Sequence, residues 1–216
     1  IEWEFPKLLI QVRSLAGLLN LVDGAIWMEL LASLVVLDFI TQYCAHWSVH
    51  NIKPLWRVHL VHHSDTHVDA STGLRLHPFD YFVRESFAIF SVFLLDLPLG
   101  LYVIYRFCTI AFTHFNHANI KLPPTLDKAI SYVFVSPNMH KFHHHFEVPW
   151  TDTNYWNILS IWDRLFGTFY YGDVDQIKYG LDVIEADKSD DFKYQIMLPI
   201  NHNGLAGGAK QNKEGK

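Results

Sequence analysis

Eleven of the fourteen histidines in this 216-residue chain fall into four tight clusters: His46 and His50; His59, His62 and His63; His114 and His117; and His140, His143, His144 and His145. Residues three or four apart share one face of an α-helix, about 5–6 Å from each other at Cβ. A fold that uses these clusters must turn several helical faces toward one another. Neutral imidazole suits Fe, Zn, Cu and Ni, and eight or more histidines exceed what one tetrahedral zinc ion takes. Neighbours such as His62 and His63 point about 100° apart on a helix, so each pair can address two ions, and about two metal ions is the economical reading. Soluble di-iron bundles rely on Glu and Glu-x-x-His ligands. No comparable carboxylate set stands among these boxes, so an all-nitrogen dinuclear centre is expected. His67, in a Ser-Asp-Thr-His turn, and His202, in the polar tail, read as structural or surface residues. His145 would point away from the face of His140 and His144 and is placed behind the ligands.

Composition narrows the setting. Apolar residues make up 50% of the chain and aromatics 15%, while charged residues reach only 18% against the usual quarter. The mean hydropathy of +0.08 fits a membrane protein with a substantial polar part. A net charge of −5 argues against a nucleic-acid partner. The two cysteines, Cys44 and Cys108, supply neither a disulfide framework nor a thiolate zinc site. The sequence starts at Ile1 without a signal-peptide pattern, and its N-terminus is expected to be incomplete.

Residues 25–45 form an apolar stretch long enough to span a bilayer, interrupted by Glu29 and Asp38. Acids in a span are costly unless they face protein or water, so a buried helix of a soluble protein is the alternative. A second apolar region, 86–112, is broken at 96–100 by Asp-Leu-Pro-Leu-Gly, which reads as the turn of a helical hairpin with arms at 82–96 and 98–115. Lys53, Arg57, Arg75, Arg84, Arg106, Lys121, Lys128, Lys141 and Arg164 gather on the histidine side, which makes that side cytoplasmic by the positive-inside rule. Pro54, Pro78, Pro123, Pro124 and Pro137 mark breaks between short helices. The expected fold is all-α: a membrane-embedded domain over 1–171 with a cytoplasmic, histidine-rich helical cap, then a polar extension over 172–216 whose end, 203–216, is expected to be disordered.

The boxes and their flanks resemble the fatty acid hydroxylase and sterol desaturase superfamily of membrane di-iron oxygenases. The resemblance covers about 38–170. It rests on His46 and His50, on Trp56-Arg57-Val58-His59-Leu60-Val61-His62-His63-Ser64, on Leu74-Arg75-Leu76-His77-Pro78, on Phe115-Asn116-His117-Ala118-Asn119, and on Pro137-Asn138-Met139-His140-Lys141-Phe142-His143-His144. Asn154-Tyr155 and the run from Trp162 to Thr168 close the pattern. The short gap between His50 and His59 favours this branch over acyl-CoA desaturases. Trp47 stands where related chains commonly carry a basic residue.

Carried over by position, the resemblance implies the ligands His46, His50, His59, His62, His63, His140, His143 and His144, with His77 and His117 as additional ligands. It also implies two iron ions, for which zinc can substitute in purified protein, and O2 as co-substrate. The reaction would hydroxylate or desaturate a C–H bond of a sterol-like, fatty acyl or isoprenoid lipid. The chain has no G-x-G-x-x-G fingerprint and no appended redox module, so electrons must come from a separate cytochrome, ferredoxin or flavin reductase. Asp163 and Arg164 suggest a structural ion pair. A membrane zinc hydrolase and a metal transporter or sensor are the rival readings.

Overall fold

A computed structural model describes residues 26–147, 150–181 and 184–201. The expectations about the chain's beginning, His202 and the 203–216 tail lie outside the described residues. Every regular element among the described residues is helical, and one isolated antiparallel bridge pairs Phe134 with Leu159.

The first apolar run folds as one continuous helix over Trp27–Asn51. It comprises α1 (Ile26–Leu37), a π-helical turn (Asp38–Cys44) and α2 (Ala45–Asn51). Among the described residues it is the one helix long and apolar enough to cross a membrane. Its mid-helix acid lies in the π turn, where Asp38 is fully buried and accepts the Leu159 N–H at 3.1 Å, offsetting part of the desolvation cost. Single π turns recur at functional sites. This one rephases the helix immediately before His46.

The prolines expected to mark breaks open the helices that follow. Pro54 and Pro78 sit in a first turn, where a missing N–H costs nothing: α3 (Lys53–His63) and α4 (Pro78–Leu95) begin this way. The hairpin expected around 96–100 is present. Asp96 adopts a left-handed φ of 51° and ends α4, with Leu97 N–H bonding back to Val92, and the chain returns as α5 (Leu99–His117). Leu95, Leu97, Leu101 and Tyr105 pack with Leu37 of α1 and with Ile158, so α1 supports the closed end of the hairpin.

The remaining helices are short: α6 (Pro124–Ile130), α7 (Pro137–His143) and α8 (Ile161–Leu165). The buried carboxylate of Asp127 fixes the start of α7 by accepting from Ser136 Oγ, the Asn138 N–H and the Tyr171 hydroxyl. Asp163 and Arg164 do not form the expected ion pair, because consecutive helical residues diverge by about 100°. Asp163 accepts from the Tyr155 and Trp156 N–H groups and from Thr168 Oγ1. Arg164 lies over the ring of Phe169 at 3.7 Å and donates to the Ser131 carbonyl.

The polar extension contributes a helix to the core. In α9 (Phe192–Asn201), Leu198 is fully buried and packs with Ile184 against Trp56, Leu60 and Val61 of α3, the helix that carries His59, His62 and His63. Leu198→Ala should therefore lower stability by about 2–5 kcal/mol, read as a fall in the thermal unfolding midpoint of detergent-purified protein. An unchanged midpoint would mean that the extension does not brace α3.

Candidate metal centre

Four chain segments turn histidines inward. α2 supplies His46 and His50, α3 supplies His59, His62 and His63, the last residue of α5 is His117, and α7 with its C-cap supplies His140, His143 and His144. All nine are buried. They form two abutting groups. One nitrogen from each of His46, His50, His59, His63 and His143 lies within 4.8 Å of the others, and the same holds for His62, His117 and His144. His140 adjoins the second group, its Nε2 3.1 Å from that of His117.

The outward nitrogens decide what the inward ones can do. A carbonyl only accepts, so a ring nitrogen bonded to one must carry the proton. Nδ1–H of His46 donates to the Tyr155 carbonyl at 2.6 Å, His62 to Thr72 at 3.1 Å, His117 to Thr113 at 2.8 Å and His143 to Thr153 at 2.8 Å. His59 donates to the buried carboxylate of Asp80 at 2.7 Å, and His50 lies 3.4 Å from Asp152. These tautomers leave the lone pair on Nε2. The Nε2 atoms then face one another: His46 to His143 at 3.0 Å, His46 to His59 at 3.1 Å and His117 to His62 at 3.3 Å. Lone pairs held that close repel unless a cation lies between them. In addition, His63 Nδ1, His140 Nδ1 and both nitrogens of His144 are buried without a hydrogen-bond partner, a rare condition for polar atoms inside a protein. The donor set fits borderline metal ions that accept nitrogen.

Burial also keeps the rings neutral, as metal ligands must be. It pushes His62, His63, His140, His143 and His144 well below the ordinary imidazole range and takes His117 to about 4. Burial alone would push the Asp80 carboxyl up, but Arg84 and His59 outweigh it and hold Asp80 below the usual carboxylate range. Arg84 Nε bonds the second Asp80 oxygen at 3.0 Å. Such outer partners fix ring orientation and ligand strength. Gly73 allows another: a Cβ there would collide with Thr113, so only glycine lets the Thr72–Leu74 turn come close enough for His62 to reach the Thr72 carbonyl.

Other histidines stand apart. His77, expected as an additional ligand, caps α4: its Nδ1 accepts the Phe79 N–H at 3.2 Å, and its Nε2 donates to the Ile196 carbonyl at 3.3 Å. His114 donates to the Ala70 carbonyl, and His145 accepts the Glu147 N–H. His67 is exposed and bonds Thr66. Sequence reasoning missed the carboxylates behind His59 and His50, Asp80 and Asp152. Asp80 had a legible signal, since it sits two residues after Pro78 in the first turn of a proline-opened helix. Asp152 had none.

The closing motif acts through the backbone. Asp163 pins the Tyr155 and Trp156 N–H groups, and Asn154, at a φ of 52°, bonds both the Met139 and Tyr170 carbonyls. The peptide so fixed supplies the carbonyls that orient His46 and His143. A cleft of about 190 Å³ leads from this centre between α4 and α5, with His46, His62, His117 and His140 at its inner end.

The sequence model of the fatty acid hydroxylase family matches residues 30–168. The chain belongs to the fatty acid hydroxylase family. The match spans the histidine-bearing helices and the carbonyl acceptors just described. The chain is 28% identical over 142 residues to an ornithine lipid hydroxylase of Rhizobium tropici, an alignment covering 66% of this chain and 42% of that protein. It is 30% identical over 141 residues to the alkylglycerol monooxygenase of Danio rerio and 28% identical to that of Homo sapiens, each covering 64% of this chain and 30% of the relative. The chain thus spans less than half the length of these curated relatives. No solved structure matches it.

The geometry separates histidines that converge from those that stand apart. His63→Ala and His143→Ala should lose bound metal, while His77→Ala and His145→Ala should keep it, as measured by elemental analysis of purified protein. Asp80→Asn should keep the fold but weaken metal affinity by about 10–100-fold, seen as faster loss to a chelator.

Proposed function

We propose that this chain is the metal-binding part of a membrane-embedded, O2-dependent lipid hydroxylase holding about two iron ions, one in each histidine group. The observation that carries this reading is the convergence of Nε2 lone pairs at the inner end of a cleft whose walls, α4 and α5, are apolar on their outer faces. Phe82, Phe90, Phe93 and Phe107 on those faces are each more than half exposed, an apolar surface suited to acyl chains. The long α1–α2 helix and the hairpin would sit in the bilayer, with the histidine cap on the cytoplasmic side where the basic residues gather.

Iron bound there would supply O2 activation, for which zinc, having no redox chemistry, is unsuited. The rest of the task falls to this chain. The carbonyls of Tyr155, Thr153, Thr72 and Thr113 hold the rings in one tautomer. Trp56, tilted against the His50 and His63 rings, and Tyr155 exclude water from the far side of the centre. The cleft lets a lipid lie with one carbon near His117 and His140 while its chain leaves between the arms. The names of the relatives, a hydroxylase and monooxygenases, favour hydroxylation over desaturation. Electrons would come from a separate protein. A transport role fits poorly, because the histidines form a single buried knot and do not string along a route.

Purified chain from iron-replete cells should contain about two iron ions with a Mössbauer spectrum of a nitrogen-ligated centre. Zinc alone under the same conditions would sink the iron assignment. Lipidomic comparison of host cells expressing the wild type or a His143→Ala, His144→Ala variant should reveal an oxygenated lipid only with the wild type, dependent on O2 and reductant. Activity surviving without either would instead support a hydrolase.

A further inference from the structure

The charges along the cleft are all spoken for. Arg84 of α4 is bonded to Asp80 at 3.0 Å, and Arg106 of α5 is bonded to Glu85 of α4 at 2.8 Å, so the second pair ties the two arms together across the cleft. The Arg106 and Glu85 side chains keep only 34% and 24% of their exposure, and those of Arg84 and Asp80 19% and 0%, so neither pair is freely solvated. Gln42, Thr109 and Asn157, also on the walls, are uncharged amides and a hydroxyl.

An ionic head lodging on the walls beside these two pairs must either break one, leaving one half-buried charge uncompensated, or remain unpaired itself. A head with no net charge avoids both, by hydrogen bonding to the walls or by presenting a zwitterion to both members of the pair. Glu85 therefore does more than link two helices: it occupies the guanidinium that would otherwise attract phosphate or carboxylate. We propose that the cleft selects lipids whose polar head carries no net charge, and that Glu85 enforces the rejection of anionic lipids by holding Arg106. This rests on the cleft being the lipid site of the proposed hydroxylase.

The test counts bound lipid without turnover. The full chain with its metal, in neutral-detergent micelles, is offered equal amounts of a monoacylglycerol, a lysophosphatidylcholine and a lysophosphatidylglycerol of one acyl chain, and retained lipid is read by native mass spectrometry. Wild type should favour each of the two net-neutral lipids over the anionic one by about tenfold or more. Glu85→Gln should raise the anionic share to parity or beyond, and the Glu85→Gln, Arg106→Gln double variant should return it to the wild-type order. Variants are compared at equal metal content, so the charge of bound ions drops out of the ratios. Should Glu85→Gln fail to load metal, Arg106→Gln serves as the second arm and should sharpen the rejection of the anionic lipid. Equal retention of all three lipids by wild type, or an unchanged ratio in the single variant Glu85→Gln (or in Arg106→Gln where that serves instead), overturns the proposal. If the protein binds with this selectivity but oxidises no lipid, the hydroxylase reading fails alone; if it oxidises lipid with unchanged ratios, the charge selection fails alone.

Discussion

The structure depends on the outward hydrogen bonds of its buried imidazoles. Nine histidine rings packed without partners would be an expensive interior, since each neutral ring buries a donor and an acceptor. Fixing Nδ1–H on a carbonyl or carboxylate satisfies the donor and commits the acceptor to the centre. Much of the cap serves that geometry: Gly73 brings the Thr72 carbonyl to His62, and Asp163 and Asn154 lock the turn that presents the Tyr155 and Thr153 carbonyls. Because lone pairs then face each other at about 3 Å, a bound cation would convert repulsion into attraction, and metal binding would be coupled to folding of the cap.

The two acceptor types are not equivalent. Four of the nine rings lean on backbone carbonyls, but His59 leans on Asp80, which is itself held by Arg84. A carboxylate draws the Nδ1 proton more strongly than a carbonyl and makes the ring a better donor. Within the five-histidine group His59 therefore has a distinct electronic environment. Arg84 also lines the cleft, so a single side chain touches both the support of the centre and the path a substrate would take. The hairpin serves two roles in the same way: its outer faces are aromatic and exposed, while its inner faces carry paired charges and small polar groups leading to the histidines.

Much of this was legible in the sequence because it depends on local spacing. Histidines three and four apart had to share helical faces, the Asp-Leu-Pro-Leu-Gly break had to turn the apolar region back on itself, and the prolines had to punctuate the cap. Less legible was anything set by residues far apart in the chain. Asp163 and Arg164 resembled a pair because they are adjacent, yet a helix points them at different neighbours. His77 matched a family box, but its ring is used to cap α4. The polar composition of the extension concealed Leu198, a single residue that closes the core over α3.

The sequence by itself determined the chemistry of the donors and the helical faces that present them, because both follow from residue type and a period of 3.6. Which histidines converge, which nitrogen of each faces the centre, and which charges across the cleft neutralise one another were decided only by the tertiary structure. Those properties belong to pairs such as His46 with Tyr155, His59 with Asp80 and Glu85 with Arg106, and no pattern along the chain brings the members of such a pair together; packing does.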